Sequence, residues 1–458
     1  MRKISLVLLF TLLITTGAGC LGGNKSKTMA EKPTIEIWRV FDDDDTFQQI
    51  IDDYRAIHPN VSIKYRRLRY DEYQDELIRA MAEGRGPDIF SVHNTWLPAY
   101  QDLIEPIPES TTVSYYETQG TLRKETVVVE KTEKSITIPK LKSTFVDQVA
   151  EDVVLSKETK SGTESKIYGL PLAMDSLALF YNKDLLNAAG IPTPPETWKE
   201  FQEDVIKLTT YNNDGEITQS GAALGTPNID RATDIVSVLM MQNGTEMTDS
   251  RGRIAFAAIP DDAPSGIYPS YDAVSFYTDF ANPTKEVYTW NDDLGNSFDA
   301  FVNGKTAFYL GYSYNISKIR TTAPKLNFGV AKLPQIEGGK QINFANYWVE
   351  VVSKQTDISD WAWNFLQFAA SEDEVSSYLK EAQKPTALRN LISEQIDDEF
   401  LGPFAEQTLT ARSWYHGYDA EAVEDIFTDM IEQVLSGGYE PQDIMENAAR
   451  RVADTYKN

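Results

Sequence analysis

The chain has 458 residues, of which 41% are hydrophobic and 11% aromatic, so it can build sizeable cores and is not globally disordered. Its formal net charge of −26 excludes the basic footprint that nucleic-acid binding requires, and is more typical of solubility in an exposed location. With three histidines and one cysteine, the chain is poorly equipped for zinc binding or histidine-based catalysis, and an intramolecular disulfide is impossible. The length predicts about three domains, or two large lobes.

The N-terminus predicts export. A basic pair is followed by an apolar run over residues 4–14 and then by small residues up to Cys20. This order is typical of a signal peptide, and the run is too short to span a membrane. It resembles a lipoprotein signal, which implies removal of residues 1–19 and acylation of Cys20. The alternative is a plain secreted chain. Residues 20–33, rich in glycine and lysine, predict a flexible tether.

The chain then alternates strands and helices. Strands are predicted to begin at Ile35, Val61 and Ile89, because apolar residues alternate or run together there. The helix after the first strand has Asp45 as its predicted cap, and the next helix ends at Gly84. This βαβαβ order predicts a parallel sheet with helices on its faces.

Polar and aromatic residues follow two of these strands at their carboxyl ends, where open α/β sheets bind ligands. Phe41, Asp42 and Asp43 follow the first strand, and Asn94 and Trp96 follow the third. We therefore expect these five residues to contact a ligand. The alternative for the aspartates is a solvated, helix-capping turn.

Residues 110–160 interrupt the alternation. Residues 126–129 and 136–138 have β-branched patterns and flank a charged segment, which predicts an exposed hairpin followed by an amphipathic helix. We interpret this region as an insertion, and expect it to be dispensable for ligand binding.

The stretch from Tyr168 to Tyr181 predicts a crossover between two lobes. Gly169 and Pro171 lie near the start of an otherwise apolar run. Asp175 is the lone carboxylate in this run, and would lie where the lobes meet.

The second half of the chain repeats the alternation. Thr197 and Glu200 form a predicted capping box, and Asn228 ends a short strand. Aromatic residues recur at strand ends and in loops, where each could equally be a core residue. Those taken as candidate ligand contacts are Trp290, Tyr312, Tyr314, Trp348 and Trp414.

Five blocks of this chain resemble bacterial extracellular solute-binding proteins, the family that includes the maltodextrin-binding proteins. They cover residues 86–90, 168–181, 301–314, 347–352 and 384–389, in family order. The resemblance implies a two-lobed α/β fold of the periplasmic-binding-protein type II, with a ligand cleft between lobes joined by hinge crossovers. Residues 34–172 and 311–345 would form the first lobe, and residues 173–310 and 346–458 the second.

The resemblance also implies a function. The protein would be a substrate-binding lipoprotein of an ABC importer, anchored by lipid on the outer face of the plasma membrane. It would capture a mono- or oligosaccharide by lobe closure, as a monomer without cofactor or metal, and deliver it to the permease and ATPase subunits. Aromatic rings can cover the C–H face of a sugar, while carboxylates and amides bind its hydroxyls.

Three alternatives remain open from the sequence. A cationic or peptidic solute could bind carboxylates framed by aromatic rings, with Asp42, Asp43 and Asp175 as the candidates. A secreted glycoside hydrolase would need two carboxylates across a cleft, but the chain contains neither Gly-x-Ser-x-Gly nor His-Glu-x-x-His. A purely adhesive surface protein is the third.

Overall fold

The computed structural model describes residues 32–120, 124–159, 162–259 and 267–457. The proposed signal peptide, most of the tether and Cys20 lie outside these residues. Two five-stranded sheets each carry a large buried core. The chain passes from one to the other through the strands of a small three-stranded sheet. This arrangement confirms the predicted two-lobed α/β fold. No helix among the described residues is long and apolar enough to cross a membrane.

The first lobe is built on a mixed sheet. Its parallel strands are the three predicted ones, and Trp348–Ser353 is antiparallel to the third of them and to the two-residue edge strand Ile104–Glu105. In sheet order the strands are Ser62–Leu68, Thr34–Val40, Ile89–His93, Trp348–Ser353 and Ile104–Glu105. The helices of this lobe are Asp44–Ile57, Tyr70–Ala82, Leu97–Tyr100, Ile138–Thr144, Asp147–Val153, Ser359–Ala369, Glu372–Ala382 and Ile392–Gln395, with 3₁₀ turns at Asn94–Trp96 and Arg389–Leu391.

The second lobe has a sheet of its own. In sheet order its strands are Thr210–Tyr211, Ile217–Ala222, Thr306–Gly311, Ala178–Asn182 and Phe328–Ala331. Its helices are Lys183–Ala188, Trp198–Leu208, Ala232–Gln242, Pro269–Asp279, Ser297–Val302, Tyr314–Thr322, Gly402–Gln407, Ala420–Ser436 and Pro441–Asp454, with a 3₁₀ turn at Asp292–Leu294.

Three chain crossings meet in the small third sheet, in the order Ala411–Arg412, Asn343–Asn346 and Asp175–Ser176. The middle strand pairs with both of the others. The predicted crossover at Asp175 is therefore confirmed. Because the chain connects the lobes at these crossings, we expect movement of one lobe relative to the other to change the backbone conformation of these few segments.

The predicted lobe boundaries were wrong after residue 311. The strand Phe328–Ala331 pairs with Ala178–Asn182, so this segment belongs to the second lobe and not the first. The chain returns to the first lobe only at Trp348–Ser353, which pairs with Ile89–His93. An apolar strand has the same pattern in either sheet, and only its pairing partner decides its lobe.

The region 110–160 also differs from the prediction. The hairpin pairs Ser110–Gln119 with Glu125–Lys134, so the charged segment lies within a strand and not in its turn. A second hairpin pairs Val154–Thr159 with Gly162–Ile167. Between the hairpins, the helices Ile138–Thr144 and Asp147–Val153 contribute buried side chains to the first-lobe core, so this part is not an accessory.

The predicted helix caps have mixed outcomes. Thr197 and Glu200 form the expected capping box, since the Thr197 hydroxyl accepts from the Glu200 amide and the Glu200 carboxylate accepts from the Thr197 amide. In contrast, Asp45 lies inside the helix Asp44–Ile57, and Asp43 takes the cap position without a side-chain cap hydrogen bond. Four consecutive aspartates offer several equivalent caps, so sequence alone cannot choose among them.

Candidate ligand-binding site

A cavity of about 320 Å³ opens between the lobes, beside the Asp175 crossover. This volume lies at the lower end of the range for small-molecule sites. Four of the candidate contacts line it, namely Phe41, Asp175, Tyr314 and Trp348. The first-lobe wall combines strand ends with the helix residues Tyr70 and Tyr378, and the second-lobe wall includes the start of the helix Tyr314–Thr322.

The first-lobe wall is aromatic. Trp348 lies at its centre, and its ring meets Phe41 and Tyr70 edge to face at centroid distances of 6.1 and 6.2 Å. The rings of Phe41 and Tyr70 stack at 5.8 Å with only 13° between their planes. The rings of Tyr73, which is fully buried, and of the half-buried Trp96 also meet that of Trp348 edge to face, at 5.9 and 5.4 Å. These contacts make a pre-formed apolar surface.

A strained backbone turn presents Phe41 to the cavity. Phe41 has a φ of 72°, and the Asp42 amide donates to the Val40 carbonyl across it at 3.0 Å. A non-glycine residue with positive φ costs roughly 1–2 kcal/mol, and such strain concentrates at functional sites. The turn leaves the Phe41 side chain 57% exposed, although it directly follows a buried strand.

Asp175 faces the cavity, and its carboxylate also accepts hydrogen bonds from neighbouring residues of the chain. One carboxylate oxygen accepts from the Ser313 amide at 2.9 Å and from the Ser313 hydroxyl at 2.6 Å, and the other accepts from the Ser176 amide at 2.9 Å. Burial raises the pKa of this carboxyl to about 7, although these hydrogen bonds act to lower it. The group can therefore change charge near neutral pH, in contact with any bound molecule.

Asp42 does not face the cavity, because a buried ion-pair network occupies its carboxylate. It accepts from Tyr378 at 2.7 Å and pairs with Arg39 at 3.0 Å and with Lys384. Burial alone would raise the pKa of Asp42, but the charges of Lys384 and Arg39 hold it below its usual value. Arg39 pairs further with Glu350 at 2.9 Å. The network supports the cavity floor, which Arg39, Tyr378 and Lys384 line.

The second-lobe wall is formed by Tyr314 and Arg231. Tyr314 is 56% exposed and its ring stacks on that of Tyr312 at 6.1 Å. Tyr312 itself is buried and donates to Asp234 at 2.6 Å, so it supports Tyr314 and does not reach the cavity. Arg231 pairs with Asp234 at 2.7 Å and lies 5.9 Å from the Tyr312 ring.

A second chamber of about 540 Å³ continues the cleft. It shares Tyr70, His93 and Arg231 with the first chamber, and the predicted contact Trp96 lines it. Burial lowers the pKa of His93 to about 4, so this imidazole is neutral at physiological pH. Carboxylates outnumber cations in the chamber, where the acidic residues are Asp71, Asp75, Asp419, Glu421 and Glu424.

Besides Tyr312, two more of the candidate aromatics are core residues. Trp290 is 0% exposed inside the second-lobe core, and Trp414 is buried there with its indole N–H donating to Ser237 at 3.1 Å. Large aromatic side chains at strand ends and in loops can equally cover a core from its edge, and the sequence does not separate the two cases.

The three remaining polar candidates are also engaged away from the cavity. Asn94 is fully buried and donates to Asp152 and Ser413. Asn228 accepts from Thr226 at 2.5 Å within its own turn, on the surface of the second lobe. The Asp43 carboxylate pairs with Arg67 on the surface of the first lobe.

The sequence analysis missed several residues of the cavity wall. They are Arg39, Tyr70, His93, Leu172, Ala173, Arg231, Ser313, Asn346, Tyr347, Tyr378, Lys384 and Pro385. Some had a usable signal, since Lys384 and Pro385 open a block that resembles the family, and Ser313 lies between two candidate tyrosines. Arg231 had no usable sequence signal, because its position at the cavity depends on a left-handed backbone conformation, with φ of 63°, before a helix.

Comparisons with known proteins agree with this architecture. Residues 40–376 match the family of bacterial extracellular solute-binding proteins. The galactooligosaccharide-binding protein of Bacillus subtilis (strain 168) is 21% identical over 469 residues, covering 100% of this chain and 98% of the relative. The maltodextrin-binding protein of the same strain is 26% identical, over 51% of this chain and 54% of the relative.

Solved structures show the same fold. A cyclo/maltodextrin-binding protein in complex with maltotetraose has a TM-score of 0.69 at 17% identity, covering 94% of this chain and 99% of that one. A maltose-binding periplasmic protein of Listeria monocytogenes in complex with maltose has a TM-score of 0.67 at 18% identity, covering 92% and 97%. The family match spans most of the chain, so this protein belongs to the bacterial extracellular solute-binding proteins.

Proposed function

We propose that this protein captures a carbohydrate outside the cell and presents it to an ABC importer. The observation that carries the proposal is the pairing, across one cavity, of an aromatic wall on the first lobe with Asp175 and Tyr314 on the other side. The rings suit the C–H face of a pyranose, and the carboxylate suits its hydroxyls. Relatives named for galactooligosaccharide and maltodextrin binding support the same class.

The charges of the first chamber favour a neutral ligand. Arg39 and Lys384 are paired with Asp42, and Arg231 is paired with Asp234. Asp175 has no such ion pair among the described residues, and it is half protonated near pH 7. A ligand with hydroxyl donors can replace the water that Asp175 would otherwise require. An anionic ligand would instead meet cations whose charge is already neutralised.

A saccharide longer than one unit suits the joined chambers. The second chamber is larger and more polar than the first, and it shares Tyr70, His93 and Arg231 with it. One sugar unit would stack on the aromatic wall, and further units would extend past Tyr70. Closure of the lobes about the three crossings would then follow the ligand's higher affinity for the closed state.

The finer parts of the proposal concern location and partners. The protein would be held on the outer face of the plasma membrane by acylated Cys20, and would act as a monomer that delivers its ligand to permease and ATPase subunits. We propose no catalytic role. Incubation with an oligosaccharide should therefore return the oligosaccharide intact, as chromatography of the mixture would show.

Calorimetry tests the carbohydrate assignment directly. The purified protein, without its signal peptide, should bind a maltodextrin or a galactooligosaccharide with micromolar or tighter affinity, about −8 kcal/mol or more favourable. Mass spectrometry of ligand released from gently purified protein would identify the natural sugar. If only non-carbohydrate solutes are released and neither sugar series binds, the assignment is wrong.

The second candidate ligand is a cationic solute, and the second chamber favours it. Among the described residues that line this chamber, Arg231 is the only arginine or lysine. The acidic side chains of the same lining include Asp75, Glu421 and Glu424. Asp42 and Asp43, which the sequence suggested for such a site, are instead paired with basic residues. Binding of an amino-substituted sugar that weakens steeply with added salt, while the neutral sugar does not, would support this candidate.

A further inference from the structure

A buried carboxylate outside the cleft accepts hydrogen bonds from four side chains. Asp152 is 0% exposed. It accepts from Gln148 at 2.7 Å, Tyr347 at 2.7 Å, His416 at 2.9 Å and Asn94 at 3.1 Å. Charge-assisted bonds of this kind compensate the cost of burying a carboxylate. Removal of the carboxylate would leave several donors without an acceptor.

These partners come from both lobes. Asp152 lies on the helix Asp147–Val153, which packs in the first-lobe core, and Asn94 follows a first-lobe strand. His416 follows Trp414 and Tyr415, which are buried in the second-lobe core. The hydrogen bond between Asp152 and His416 therefore runs from one lobe to the other.

A parallel contact strengthens the junction. Asn94 also donates to the Ser413 hydroxyl at 2.9 Å, three residues before His416. Gln148 donates to the Ser413 carbonyl at 3.4 Å. Two first-lobe segments, at Asn94 and in the helix Asp147–Val153, are thus joined to the second-lobe segment 413–416 by several hydrogen bonds at one place. The junction lies beside the strand Ala411–Arg412, the last of the three lobe crossings.

Tyr347 connects this junction to the cleft. Tyr347 lines the first chamber, while its hydroxyl donates to Asp152. The next residue, Trp348, is the centre of the aromatic wall. A change at Asp152 would therefore reach the ligand-facing wall through one side chain and one peptide bond.

We propose that Asp152 is a positioning residue, the centre of an inter-lobe tie that stabilises, through His416 and Ser413, the relative lobe orientation seen in this structure. It touches no ligand and acts through Tyr347 on the cleft wall. The tie is a contact within the chain itself, so it operates whether the ligand is a neutral sugar or another solute.

The tie should respond to pH through His416. Burial lowers the pKa of this imidazole, but the hydrogen bond and charge of Asp152 outweigh burial, so the pKa lies above its ordinary value. Other ionisable groups near the pair are Glu151, whose carboxylate acts in the same direction, Arg412, His93, the Tyr347 hydroxyl and Tyr456, whose hydroxyl accepts from the His416 amide at 3.0 Å. A raised histidine pKa means that the tie is strongest below pH 6.5 and weakens as pH rises through the folded-state pKa.

Pulsed electron spin resonance between the lobes tests this proposal without any ligand. Spin labels would be placed at two exposed positions, Glu83→Cys in the first lobe and Glu203→Cys in the second, in the full chain with Cys20→Ser. We expect a narrow distance distribution at pH 6 and a broader one at pH 8.5. The His416→Asn variant should give the broad distribution at both pH values.

Two further variants make the outcome decisive. His58→Asn removes an imidazole that contacts first-lobe groups, namely the Ser114 carbonyl at 3.1 Å and the rings of Tyr54, Tyr115 and Trp361, and should behave as the parent protein. Asp152→Asn should broaden the distribution more than His416→Asn, and if it fails to fold, the half-exposed His416 still supplies the test. Identical distributions for the parent and His416→Asn at both pH values would overturn the proposal, as would equal broadening by His58→Asn.

Discussion

At the scale of single residues, Asp175 combines a place in the cavity wall with three hydrogen bonds from its own protein. Its pKa of about 7 reflects burial. Hydroxyl donors of a bound sugar would stabilise the carboxylate over the acid, so bound ligand should lower this pKa. The affinity of the protein should therefore decrease as the pH falls below about 7, because binding must then release a proton.

Asp175→Asn tests this expectation. The variant should bind about ten- to hundredfold more weakly at pH 8, equivalent to roughly 1.5–3 kcal/mol, and its affinity should vary less than the parent's between pH 6 and 8. Because the carboxyl pKa is raised on folding, the unliganded parent should lose stability as pH rises from about 4 to about 7, and the variant should lose less. Calorimetry and thermal melting over this range measure both effects, and a variant with the parent's affinity profile would remove Asp175 from the site.

Tyr314 and Trp290 form a matched pair of aromatic residues. Tyr314→Ala removes an exposed ring at the cavity, so we expect it to weaken ligand binding by roughly 2–4 kcal/mol with little effect on stability. Trp290→Ala empties a site in the second-lobe core, and should instead lower the free energy of unfolding by about 3–5 kcal/mol. Loss of affinity by folded Trp290→Ala protein with native binding by Tyr314→Ala would reverse these roles.

At the scale of elements, the region 110–160 divides into two parts. In the outer half of the first hairpin, residues 116–119 and 125–128 pair beyond the last core contacts of the two strands, near Val113 and Tyr115. The helices that follow bury Leu141, Phe145 and Val149 in the first lobe. The interpretation of the whole region as an insertion was therefore wrong for its second part, while its dispensability for ligand binding stays a prediction.

Two replacements separate these parts. Exchange of residues 116–128 for an Asn-Gly turn should keep the fold and leave ligand affinity within about threefold, since the paired strands can close at Tyr115 and Val129. Exchange of residues 138–153 for a Gly/Ser linker should abolish cooperative melting, because each lost core side chain costs about 1.5–3 kcal/mol. Loss of binding by the well-folded first variant would show that the hairpin tip contributes to the site.

At the scale of the whole molecule, the proposed anchor is Cys20, which lies outside the described residues. If Cys20 is acylated, the parent protein should fractionate with membranes, and Cys20→Ser should release it into the soluble fraction. The released protein should bind sugar as the parent does, because the tether precedes the first strand at Thr34. Persistent membrane association of Cys20→Ser would show that something else holds the protein there.

Local sequence patterns were sufficient to predict many of the helices and strands of this protein and the class of its fold. The strands beginning near Ile35 and Ile89, the capping box at Thr197 and the crossover at Asp175 depend on residues close together in the chain, and these predictions were confirmed. The family blocks in order then gave the two-lobed architecture.

Which strands pair, and which side chains reach the cleft, could be read from the folded structure and not from the sequence. The strand Phe328–Ala331 joins the second sheet through its partner and not through its composition. Asp42 forms ion pairs with Arg39 and with Lys384, which lies 342 residues away in the chain. No local sequence pattern therefore shows that its carboxylate is unavailable to a ligand. Exposure, charge pairing and lobe membership are properties of contacts between distant segments, and such contacts exist only once the chain has folded.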